Sequence, residues 1–200
     1  MMLQIADPRL ISQNTMPLLV ACNQTDFISE AIDWRTNIPG IEPFDHFMLS
    51  INQGKFACQS MGIFNAYKEI PMANYMTKGT TLAFIQLVNN SPAFTSAFTK
   101  SVQKRLLAPW WQTQYDYLGI FGQAIGQTWI HTPGLEYCSV DVIRHLVNAC
   151  PFLPKADQQV INNIPRESNP EGLWQIILQN PNTFFVYGLY PGTIAPTLNP

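Results

Sequence analysis

Charge is what this chain has least of: aspartate, glutamate, lysine and arginine together make up 12% of its 200 residues, and the formal net charge is −2 at pH 7. Lysine and arginine form no cluster, so neither the overall balance nor a local patch supplies the attraction that nucleic acid or an anionic surface requires. No stretch approaches the roughly 20 apolar residues of a membrane span. The opening MMLQIADPRL has no basic region followed by an apolar run, so no signal peptide is expected. The place of action is left open between the cytoplasm and a virus particle. Cysteine is scarce and scattered. Cys22, Cys58, Cys138 and Cys150 include no C-x-x-C pair, which argues against a zinc knuckle or a dense disulfide framework and for free thiols in a reducing compartment. No metal and no cofactor are expected.

Hydrophobic residues are plentiful, at 46%. With this length they suit one globular domain over 1–200, with a core spanning about 17–190 and an irregular, proline-rich end. No repeat, low-complexity tract or linker divides it.

Local patterns predict an α+β fold, an antiparallel sheet packed against helices. PLLVAC (17–22) reads as a buried strand, and DFISEAIDWRT (26–36) as a helix capped by Asp26. FDHFMLSI (44–51), the turn signal NQG (52–54) and KFACQSM (55–61) form the clearest hairpin. After an irregular stretch containing Pro71, KGTTLAFIQLV (78–88) supplies another strand. Ser91 and Pro92 open a helix whose Phe94, Phe98, Val102 and Leu106 share a face. Helices are also expected at 115–126, 138–149, 156–163 and 170–179, and a last strand at 184–190.

The chemistry concentrates in YCSVDVIRHLVNAC (137–150). Val142, Ile143, Leu146, Val147 and Cys150 recur with helical spacing, and Cys138 lies one turn before Val142 on that face. A thiol there sits at the positive end of the helix dipole, near free N–H groups that favour the thiolate and can hold a developing oxyanion. The plain alternative is a small buried hydrophobe.

A thiolate mechanism also needs a base. His145 lies seven residues along the same helix, about 10 Å by rise alone, too far for a hydrogen bond. It is read as a surface or partly packed side chain. His131, in WIHTPG, precedes the helix by one loop and is a weaker candidate. His46 lies on a strand in an apolar setting and needs a partner, which is either the backbone or Cys138. Alternation groups His46 with Met48 and Ser50, and the expectation is that the helix of Cys138 covers that face.

The order of these segments, ending in YDYLGIFGQAIG, GLEYCSVDVIRHL and NPEGLWQIILQNP (169–181), resembles the circularly permuted papain-like hydrolases of the NlpC class, in particular the YiiX-like group. The resemblance covers roughly 17–181. In that family the histidine precedes the cysteine, and the cysteine opens a helix in a Y/F-C-S-E-L-V motif. Tyr137, Cys138, Ser139 and Val142 fill those places here, while Val140 and Asp141 depart from the usual E-L.

The resemblance implies a cysteine hydrolase, an amidase or peptidase working through an acyl-enzyme on a peptide or acyl substrate, cell-wall peptides being the usual class. Cys138 is then the nucleophile, its amide part of the oxyanion hole, and His46 the general base. Gln59, beside Cys58 and Ser60, stands where the family often has a glutamate that orients the histidine; an amide orients imidazole without stabilising its charge. Tyr115, Tyr117 and Trp129 either wall the site or pack in the core. Two other readings stay open: a lipid acyltransferase or thioesterase of the same fold, like lecithin retinol acyltransferase, and a non-catalytic module assembling with other proteins in a phage or similar particle.

Overall fold

The computed structural model describes residues 18–23, 44, 46–52, 55–59, 67–75, 80–114, 116, 118–119, 122 and 137–190. Among them the class is α+β. Strands β1 (Leu18–Asn23), β2 (His46–Asn52), β3 (Lys55–Gln59), β4 (Tyr67–Pro71), β5 (Thr81–Leu87) and β6 (Phe184–Tyr190) form one sheet. Its order is β4-β3-β2-β1-β5-β6, with every neighbouring pair antiparallel. Among the described residues four α-helices with defined bounds accompany it: α1 (Pro92–Leu106), α2 (Cys138–Ala149), α3 (Lys155–Asn162) and α4 (Pro170–Gln179).

The two-residue period of the strands sorts their side chains between two cores. Leu19, Ala21, Phe47, Leu49, Ala57, Ala83 and Ile85 join the inward residues of all four helices in the larger one. Val20, Cys22, Met48, Phe56, Leu82 and Phe84 join Tyr75 in the smaller one. Burying a side chain such as Phe47 or Leu49 contributes about 1.5–3 kcal/mol. The helices thus have one defined face of the sheet to cover.

The β2–β3 hairpin pairs as the NQG signal predicts, with Leu49 opposite Ala57 and Asn52 opposite Lys55. β4 departs from expectation, since the sequence predicts an irregular stretch around Pro71. Proline lacks a donor for the ladder, but β4 is the outer strand, and Pro71 is its last residue, where that loss is tolerated.

In α1, Ser91 accepts the Phe94 N–H at 3.1 Å through its side chain, and Pro92 occupies the first turn. Phe94, Phe98 and Val102 are buried as their spacing predicts, but the next buried residue is Arg105, while Leu106 is only half-buried. Helix α2 runs from Cys138 to Ala149, where the turn Cys150–Phe152 with Pro151 ends it. Asn169 caps α4 by accepting the Gly172 N–H at 2.7 Å. The helix expected at 26–36 lies outside the described residues, as does most of the one at 115–126. No helix among the described residues is long and apolar enough to cross a membrane.

Candidate functional site

The first turn of α2 is where three distant segments meet. Cys138 is the first residue of the helix and is 2% exposed. The preceding Tyr137 does not cap the helix with its side chain. Its hydroxyl instead donates to the Glu167 carbonyl at 2.8 Å, and Ser139 Oγ donates to the Ser168 carbonyl at 2.7 Å. Ser168 Oγ in turn donates to the Pro165 carbonyl at 2.8 Å, closing the loop that leads into α4. The residues on both sides of the thiol are therefore tied to one loop, each bond contributing on the order of 1 kcal/mol.

The third segment arrives through Gly119. Asp116 Oδ1 accepts the Gly119 N–H at 2.9 Å, and a Cβ on Gly119 would collide with the Asp116 carboxylate and approach the Tyr137 ring to 3.4 Å. A side chain at Gly119 would thus displace the Asp116 carboxylate that caps it, while the Tyr137 ring lies at ordinary contact distance. Tyr115 and Tyr117 of that segment lie outside the described residues, as do Trp129 and His131.

His46 is the first residue of β2 and is buried. Its cross-strand partner is Cys22, and its ring stacks on Tyr75 at a centroid distance of 6.4 Å and an interplanar angle of 12°. Cys22 and Tyr75 both belong to the smaller core, whereas Cys138 belongs to the larger one with Phe47 and Leu49. The grouping of His46 with Met48 and Ser50 is the one alternation predicts, but α2 covers the other face. The sheet face beneath α2 is thus not what joins His46 to Cys138. Gln59 is the last residue of β3 and pairs with Tyr67; its side chain lies outside the described residues.

One further polar group, in the seam between α1 and α2, departs from the sequence reading. His145, expected at or near the surface, has 0% exposure. Its Nδ1 lies 2.8 Å from Ser101 Oγ, which accepts from Asn148 Nδ2 at 3.1 Å. His145 Nε2 lies 3.3 Å from Asp141 Oδ2. Asp141 Oδ1 pairs with Arg105 Nε from α1 at 3.4 Å and with Arg144 one turn along α2. Burial pushes the Asp141 carboxyl up, but His145 above all, then Arg144 and Arg105, draw it down to about 2. Arg105 Nη1 also donates to the Gln112 carbonyl at 2.9 Å. Helical periodicity held a signal for this seam, because Asp141, His145 and Asn148 are spaced four and three apart and so share a stripe.

Two surface grooves, each of about 530 Å³, flank this region. One follows α1 past Asn90, Thr95 and Lys100; the other lies between β4 and the end of α1, at Tyr67, Glu69 and Leu107. Neither is lined by Cys138 or His46. Among the described residues, no group of three or more histidine, cysteine, aspartate or glutamate side chains stands close enough to hold a metal ion.

Comparison of the chain with family models, with curated proteins and with solved structures found no match.

Proposed function

We propose that this chain is a cysteine hydrolase of the permuted papain-like kind, with Cys138 as the nucleophile. The observation that carries the reading is the convergence at the first turn of α2. The segments that resemble the family, around Gly119, Tyr137–Ser139 and the loop before Pro170, are far apart in sequence and meet at Tyr137 and Ser139, the two neighbours of Cys138. A helix start without a side-chain cap at Tyr137 favours a thiolate and an oxyanion in the same place.

In the proposed reaction the Cys138 thiolate attacks the carbonyl carbon of an amide, and the Cys138 N–H supports the resulting oxyanion. His46 takes the thiol proton and returns it to the leaving amine, so that a thioester remains; water then releases the acid and restores the thiol. The role of His46 rests on the resemblance alone, since its described neighbours Cys22 and Tyr75 belong to the face opposite α2. Cell-wall peptides are the substrate class this reading favours.

The test is alkylation by iodoacetamide across pH with the adducts mapped. Cys138 should react well below the range of an ordinary thiol, roughly pH 8.5, and His46→Ala should remove that advantage. Labelling of Cys138 no faster than Cys150 would overturn the proposal. Rapid labelling that survives His46→Ala would keep the nucleophile and discard the base. Wild type and Cys138→Ala should then be compared on a cell-wall peptide mixture by mass spectrometry.

A further inference from the structure

We infer that Arg105, reaching across from α1, cancels the charge of Asp141 in the first turn of α2 and so keeps the positive end of that helix available to Cys138. This rests on the reading of Cys138 as a nucleophile and concerns what sets its reactivity.

Asp141 stands three residues after Cys138, and residues at that spacing are neighbours on a helix, with Cβ atoms about 5–6 Å apart. Both are 2% exposed, so water screens little between them. A lone carboxylate there would oppose a thiolate, like charge against like charge, and would offset the helix dipole. The family motif has its acid one residue earlier; this chain has Val140 in that place and an acid on the stripe that faces α1.

Arg105 is what α1 presents to it. Its side chain is 9% exposed, with Nε 3.4 Å from Asp141 Oδ1, and the Gln112 carbonyl holds its far end. Arg144 adds a second guanidinium from α2 itself, on a side chain 32% exposed. Two positive groups beside one carboxylate leave the turn net positive. The other ionisable groups on the elements packed around α2 are His145 in the same helix, Lys100 and Lys104 on α1, His46 on β2, Lys55 and Cys58 on β3, Cys150 just past the helix, Lys155 and Asp157 on α3, Arg166, Glu167 and Glu171 in and after the loop that receives Tyr137, and Asp116 beside Gly119. None of them is altered in the test below. Arg105 is thus a positioning residue: it acts on the thiol only through Asp141.

The experiment measures the pH midpoint of Cys138 alkylation in the full chain, with labelling of the buried Cys22 as the marker of unfolding. Arg105→Gln should raise the midpoint by about 1 unit, a roughly tenfold slower reaction below it. Adding Asp141→Asn should bring the midpoint back to the wild-type value or lower. A purely structural role for Arg105 would show as exposure of Cys22 without a shifted midpoint. An unchanged midpoint in Arg105→Gln, with Cys138 still reactive at low pH, overturns the inference and leaves the nucleophile standing. A wild-type Cys138 that behaves as an ordinary thiol sinks the functional reading itself. If Arg105→Gln exposes Cys22, the pair Arg105→Lys and Arg144→Met decides: the first should keep the wild-type midpoint and the second raise it, and equal midpoints overturn the inference.

Discussion

Two buried aspartates in this molecule are held in opposite ways. Asp141, in the seam between α1 and α2, faces two guanidinium groups and an imidazole. Asp157, in α3, is buried to the same degree but accepts only neutral donors, Asn89 Nδ2 at 2.9 Å and Thr183 Oγ1 at 2.7 Å. The first arrangement fixes a net charge at a chosen place. The second ties the turn after β5 and the start of β6 to α3 through neutral partners. The difference teaches that burial alone does not define a carboxylate's task; the charge of its partners does.

Substitutions measure that contrast directly. Asp141→Ala leaves Arg105 buried without its counter-charge and should lower the unfolding free energy by about 3–5 kcal/mol in urea titration. Acid should act next most strongly. The Asp141 carboxyl titrates lower in the folded protein than the usual 3.8, at about 2, so the stabilisation is complete above pH 4 and is lost as pH falls through 2. The loss should amount to about 2–3 kcal/mol and be missing in Asp141→Asn when the two proteins are melted side by side from pH 5 to pH 2.

Asp157→Asn should cost less, about 1–2 kcal/mol, because an amide still accepts from Thr183 and loses only its second acceptor. If it proves as damaging as Asp141→Ala, the contrast fails. The smallest effect belongs to Tyr137→Phe, which removes one neutral hydrogen bond, the one to Glu167, and should destabilise by about 1 kcal/mol. Its larger consequence should be slower alkylation of Cys138, since one of the two anchors beside the thiol is gone.

The contrast also marks where sequence reading stops. The β2–β3 hairpin, the Ser91 cap and the extent of α2 are local matters, decided by turn residues, a hydroxyl before proline and a repeat of apolar residues, and the structure agrees with them. The burial of His145 is not local, because its partner Ser101 comes from another helix. Arg105 looks like a solvated end of α1, and a charged residue is rarely buried unless paired; its partner lies 36 residues on. β4 carries no local strand signal, because Tyr67–Pro71 has no clear alternation and ends in proline, both of which an edge strand tolerates. For the site, periodicity correctly aims Cys138 inward and groups His46 with Met48. It carries no information on which sheet face a helix will choose, and the structure puts α2 on the face of Phe47 and Leu49.

The sheet order has a consequence for how the molecule is made. β5 pairs with β1 on one side, but its other neighbour, β6, begins only at Phe184, after all four helices. On the ribosome, β5 therefore waits with an open edge while α1 to α4 are synthesised and docked. At a translation rate of about 5–20 residues per second the wait lasts on the order of 5–20 seconds. Ala83, Phe84 and Ile85, the apolar middle of that strand, are then exposed to any chaperone that recognises unpaired backbone, and sheet closure becomes the late step of folding.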